Sequence, residues 1–184
     1  TSSGSIRVVV TLAHDGDRIQ VRGTCHPRGI AVDKDLVIRG MGDGATLDGQ
    51  ARYRVLRIAK GAVVTLRHLV LTHGRPRSGF FAQGGGISNR GTLTLIDSLV
   101  TENDVAYTGG GIYNFGTLTL IRSRVSGHGN GYPDDEGSTI QGMGGGIFNS
   151  GTATLDHSVV SDNHTDYDGG GIKNTGTMTL RASR

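Results

Sequence analysis

From Thr92 the chain reads Thr-Leu-Thr-Leu, and the same polar and apolar alternation returns at Thr117–Leu120, Thr152–Leu155 and Thr177–Leu180. A period of two marks a strand, so Leu93 and Leu95 fall on one face and Thr92 and Thr94 on the other. Ahead of each segment stands Gly-Gly-Gly-Ile, beginning at Gly84, Gly109, Gly144 and Gly169, with spacings of 25, 35 and 25 residues. The unit is therefore 25 residues, and one copy carries ten more. Asn89, Asn114, Asn149 and Asn174 each stand two residues before a glycine. Ser98, Ser123, Ser158 and Ser183 each follow the last leucine by three. Each unit reads as short strands between Gly and Asn turns, and none holds the ten or so periodic residues that a helix needs.

A single unit has an apolar face that it cannot bury alone. Stacking the units aligns the leucines into one interior column and makes parallel strands about 4.8 Å apart. The four asparagines, stacked in the same way, predict a ladder of side-chain amides bonded to one another and to turn backbone. The pattern thus predicts an all-β parallel solenoid of about six coils, forming a single domain over residues 1–184. Residues 6–75 are its irregular opening coils, with strand patterns at Asp17–Val21, Leu36–Gly40, Val55–Ile58, Val63–Leu66 and Leu69–Thr72. Residues 84–184 carry the four repeats, the last incomplete, with an insertion loop at about 127–142. Thr1–Ser5 is linker-like and is set apart from the fold. No capping helix is read at the start, and the repeat breaks off in its fourth copy. The expected edge of unpaired strand groups favours end-to-end self-association or a neighbouring domain.

Composition narrows the classes. The formal charge is +3 and the basic residues are scattered, without the basic stripe and interleaved aromatics of a nucleic-acid binder. No apolar run approaches the roughly 20 residues of a membrane-spanning helix. The one cysteine, Cys25, has no partner for an intramolecular disulfide.

Gly16–Val21, Gly23-Thr24-Cys25 and Lys34–Gly40 resemble the opening coils of pectin-lyase-like right-handed β-helix proteins. The four Gly-Gly-Gly-Ile strings, with Val100–Asn103 and Val160–Asn163, are similar to polymorphic outer-membrane-protein repeats. The likeness runs from about Ile6 to Ser183. It implies a right-handed parallel β-helix, secreted or on the cell surface. For function it implies surface adhesins, structural passengers, polysaccharide lyases, glycoside hydrolases and epimerases alike, because fold does not dictate activity.

Candidate chemistry concentrates in the insertion, where His128, Tyr132, Asp134, Asp135 and Glu136 gather. Paired carboxylates suit acid–base or nucleophilic work on sugars, and equally admit Ca²⁺. A lyase would take its base from His128, Arg75 or Arg77. Gly127-His128-Gly129 and Asp134-Asp135 resemble polygalacturonase motifs, but in reversed order and without the Asn-Thr-Asp and Arg-Ile-Lys partners. Asp162, Asp166 and Asp168, around His164 and Tyr167, extend the acidic region. Phe80, Phe81, Tyr107, Tyr132 and Tyr167 all precede a Gly-Gly-Gly string, and alignment puts them on one flank, where aromatic rings suit sugar rings or a partner surface. The outward Thr-X-Thr rows resemble the faces of ice-binding solenoids. The leading expectation is a module that binds a polysaccharide or a protein partner without chemistry of its own. The alternatives are a lyase or hydrolase of an acidic polysaccharide, using His128, Asp134, Asp135 and Glu136, and an ice-binding Thr face.

Overall fold

The computed structural model describes residues 5–76, 83–105, 107–130 and 142–184. The chain is nearly all β, and every described strand pairing is parallel. One sheet has six strands, in the order Ile30–Val32, Leu56–Ile58, Ile87–Asn89, Ile112–Asn114, Ile147–Asn149 and Ile172–Asn174. Neighbours in this order are also successive in the repeat, so sequence spacing sets the stacking.

An eleven-stranded sheet makes up the other two sides. It is continuous because Asp17–Cys25 and Leu36–Asp48 bend and serve both sides; Leu36–Arg39 pairs with Val64–Arg67, and Ala45–Asp48 with Leu69–Thr72. Its first face continues through Thr92–Ile96, Thr117–Ile121, Thr152–Asp156 and Thr177–Arg181. Its second face continues through Leu99–Thr101, Arg124–Ser126 and Val159–Ser161. The corner between the faces is a single left-handed residue in each repeat: His68, Asp97, Arg122, His157 and Ala182, with φ of 51, 48, 45, 48 and 44°.

The interior follows the alternation read from the sequence. Leu93, Leu95, Leu118 and Leu120 are wholly buried, and Ala153 and Leu155 nearly so, while the threonines between them face outward. Truncating any one of these leucines to alanine removes about 2–5 kcal/mol of stability.

Two polar columns run inside the same walls. Asn89 Nδ2 donates to Asn114 Oδ1 at 2.7 Å, Asn114 to Asn149 at 2.6 Å, and Asn149 to Asn174 at 2.6 Å, so the predicted asparagine ladder is present. Beside the corner, the Ser98 amide donates to Ser123 Oγ at 3.2 Å, Ser123 to Ser158 at 3.1 Å, and Ser158 to Ser183 at 3.0 Å. Each of these hydroxyls in turn donates to the carbonyl two residues back, so backbone groups at the corner remain paired.

One expectation is corrected at the start of the chain. Ile6–Leu12 is an α-helix, and Ile6 and Val10, one helical turn apart, are 5% and 2% exposed against the opening strands. The segment is rich in β-branched residues with low helix propensity, and burial of this face overrides that propensity.

Candidate functional site

The outer side of the six-stranded sheet is where chemistry-bearing residues collect. The middle residue of each strand points outward, and register lines these up as Ala31, Arg57, Ser88, Tyr113, Phe148 and Lys173. The Tyr113 and Phe148 rings stack in parallel, with centroids 5.4 Å apart and 8° between planes. Phe115, at the downstream margin, is 61% exposed. The upstream margin is a row of single bridges, Gln83 to Thr108 to Met143 to Asp168. Tyr107 and Tyr167 immediately precede two of these bridges; Tyr107 is half-buried and Tyr167 is exposed. Lys173 Nζ bonds Asp168, closing the upper end of the face with an ion pair.

The glycine strings let the backbone approach closely at this margin. Gly84, Gly109, Gly144 and Gly169 take φ between 65 and 73°, a left-handed conformation that favours glycine. In the first three strings the next two glycines are required by proximity. A Cβ on Gly85 would lie 2.3 Å from the Asp104 carbonyl oxygen, and one on Gly111 would lie 2.5 Å from the His128 ring. The segment after the second face therefore presses directly under the glycines, and pairs with itself between repeats at Asp104–Val105 and Gly129–Asn130.

That packing places His128 in the interior, at 2% exposure. It occupies the position held by Asn103 in the preceding repeat and Asn163 in the next. In the neutral Nε2–H tautomer, Nδ1 accepts the Asn103 amide N–H at 3.0 Å and Nε2–H donates to the Val100 carbonyl at 3.0 Å, and the Asn103 carbonyl oxygen also lies 3.1 Å from Nδ1. Burial first of all lowers its pKa from the ordinary histidine value of about 6.5 to about 4, against the opposing pull of its backbone bonds. His128, expected as a candidate catalytic base, therefore lies in the interior rather than on an open surface. Both ring nitrogens are engaged, and no substrate reaches them.

Of the other expected site residues, Asp166 bonds His164 Nε2 at 3.2 Å on the exposed surface, and Arg75 lies exposed with its amide N–H donated to the Tyr53 carbonyl. Arg77, Phe80, Phe81, Tyr132, Asp134, Asp135 and Glu136 lie outside the described residues. Among the described residues, no group of three or more His, Cys, Asp or Glu side chains is placed to hold a metal ion. None of their helices is long and apolar enough to cross a membrane.

Sequence reasoning missed two features of this face. Tyr113 and Phe148 were legible as the middle residues of Ile-X-Asn strands 35 apart, which register makes direct neighbours. Arg54, Arg57 and Arg90 were scattered in sequence, and only the stacking gathers them with Gln83 and Ser88 around a cavity of about 200 Å³.

The first face offers a different surface. Thr92, Thr117, Thr152 and Thr177 form one row and Thr94, Thr119, Thr154 and Thr179 the next, both in register. None of these eight hydroxyls has a hydrogen-bond partner among the described residues. The third row of this face, Arg67, Ile96, Ile121, Asp156 and Arg181, carries charge at both ends.

Comparison with protein-family models, with curated proteins and with solved structures returns no match.

Proposed function

We propose that the chain is a right-handed parallel β-helix of six coils, of the pectin-lyase-like kind, working as a secreted or surface-borne module that binds a polysaccharide along its six-stranded sheet. Right-handedness rests on the strong rule for crossovers between parallel strands, about 98% of which have that hand. The observation that carries the binding reading is the pair of exposed rings at the two margins of that sheet, Phe115 and Tyr167, on either side of a Tyr113–Phe148 stack in which Tyr113 is buried and Phe148 half-buried. Rings presented on a rigid scaffold suit the apolar faces of sugars, and an extended polymer would meet equivalent positions in successive repeats. Binding is favoured over catalysis because His128 is sealed in the interior.

Affinity electrophoresis against a panel of neutral and charged polysaccharides tests this. Retardation that Phe115→Ala and Tyr167→Ala each weaken several-fold is the expected result. No retardation by any polymer, alongside capture of a protein ligand, would replace the sugar with a macromolecular partner.

A second reading is favoured by one observation, the in-register rows of threonine hydroxyls on the first face, which have no hydrogen-bond partner among the described residues. Such rows of hydroxyls and methyls suit ordered water and hence ice. Thermal hysteresis of a freezing solution, lost on Thr119→Tyr, is its signature.

A further inference from the structure

The cavity under Arg54, Arg57 and Arg90 lies on the same face as the aromatic stack, one strand away from Tyr113. Its floor is Ser88, the one short outward side chain between Arg57 and Tyr113 in that row. Ser88 is 7% exposed, yet its hydroxyl bonds no atom among the described residues, which is uncommon for a buried polar group. The guanidinium of Arg54 is held in place from behind: Nε donates to the Gly84 carbonyl at 2.8 Å and Nη2 to the Gln83 carbonyl at 2.7 Å. Two of its five N–H groups are used in this way, and three remain for the cavity.

Arg57 and Arg90 are exposed and pair with no carboxylate among the described residues. Three cations therefore share one cavity with no counter-charge among the described residues. The strain registers on Arg54, whose pKa is lowered by burial first and then by Arg57 and Arg90. An anion entering the cavity would relieve that repulsion and give the Ser88 hydroxyl its acceptor. The donors approach from separate strands and separate directions. A planar carboxylate offers two oxygens in one plane and is satisfied by one guanidinium fork. A group with three terminal oxygens matches three guanidiniums and a hydroxyl better.

We infer that this cavity is an oxyanion subsite, and that the polysaccharide bound along the six-stranded sheet carries sulfate esters. The inference rests on the polysaccharide reading above and adds the chemical class of the ligand. Arg57 and Arg90 supply charge and specificity, Arg54 and Ser88 orient the group, and the neighbouring rings receive the sugar that bears it.

The test compares dextran sulfate, unmodified dextran and polygalacturonate on the intact chain and on an Arg57→Gln/Arg90→Gln variant. Both arginines are exposed, so the variant keeps the wild-type melting temperature. The expected result is at least tenfold tighter binding of dextran sulfate than of either other polymer, lost in the variant and weakened by salt. Equal binding of all three polymers, unaffected by the variant, would overturn the subsite and leave the polysaccharide reading standing. Tighter binding of polygalacturonate would overturn the sulfate assignment in favour of a carboxylate. If none of the three binds, the subsite and the reading on which it rests fall together.

Discussion

The His128 ring reproduces, one repeat further along, the hydrogen bonds that Asn103 makes with its carboxamide. Asn103 Oδ1 accepts the Gly74 amide at 2.7 Å and its Nδ2 donates to the Leu71 carbonyl at 3.0 Å. His128 accepts the Asn103 amide and donates to the Val100 carbonyl, and Val100 is the register partner of Leu71. An imidazole thus stands in for an amide with the same donor and acceptor roles, but unlike the amide it can be protonated.

Acid stability follows from that difference. With a folded pKa of about 4 against about 6.5 unfolded, only the unfolded chain takes up this proton between those values. The stability is present in full above pH 6.5 and falls as the pH drops toward 4, by on the order of 3 kcal/mol. Chemical denaturation at pH 7 and pH 4.5 should show the loss in the wild type and a clearly smaller one in His128→Asn, which restores the residue of the neighbouring repeats. An equal loss in both would move the effect to other groups.

Ladder position sets the cost of losing an asparagine. Asn114 is wholly buried, accepts from Asn89 and donates to Asn149, so Asn114→Ala leaves buried groups unpaired. The expected loss is about 3 kcal/mol. Asn174→Ala, at the exposed end of the same column, should cost less than about 1 kcal/mol. Paired melting curves would show the contrast, and comparable losses would mean that the ladder does not act through burial.

Equivalent glycines should respond unequally. A methyl on Gly111 meets the His128 ring at 2.5 Å and the Gly146 carbonyl oxygen at 2.7 Å, whereas on Gly171 its nearest neighbour is Val160 Cγ1 at 3.8 Å. Gly111→Ala should destabilise by about 1–3 kcal/mol through overpacking, and Gly171→Ala should be close to neutral. Urea midpoints for the two variants decide it.

The aromatic face should separate binding from folding. Phe115 is 61% exposed, so Phe115→Ala should leave the melting temperature within about a degree or two while weakening polysaccharide retention several-fold. A variant that binds as well as wild type would remove Phe115 from the site.

The regular half of the fold was legible because register is a matter of counting. A spacing of 25 residues puts Thr92 beside Thr117 and Asn89 beside Asn114, and both pairings are present. The helix Ile6–Leu12 was not legible, since its two buried residues are embedded among Val8 and Val9, which local propensity assigns to strand. The buried place of His128 was not legible for a related reason. In sequence it opens an acidic insertion, and only alignment of Val100–Asn103 with Val125–His128 shows that it holds an asparagine's place. The arginine cavity was beyond reach, because its residues come from separate strands and a loop and meet only after stacking.

The corner between the two faces of the large sheet has a consequence of its own. The five corner residues of successive repeats, two histidines (His68, His157), an acid (Asp97), a base (Arg122) and an alanine (Ala182), share one backbone conformation despite differing in charge, size and polarity. The turn is enforced from beneath by the serine column and the ladder bonds, so the shape of the bend is independent of the side chain at its tip. An edge built in this way is a row of interchangeable letters on an invariant spine. Its charge pattern can drift from acidic to basic, or be rewritten by design, while the architecture underneath stays the same.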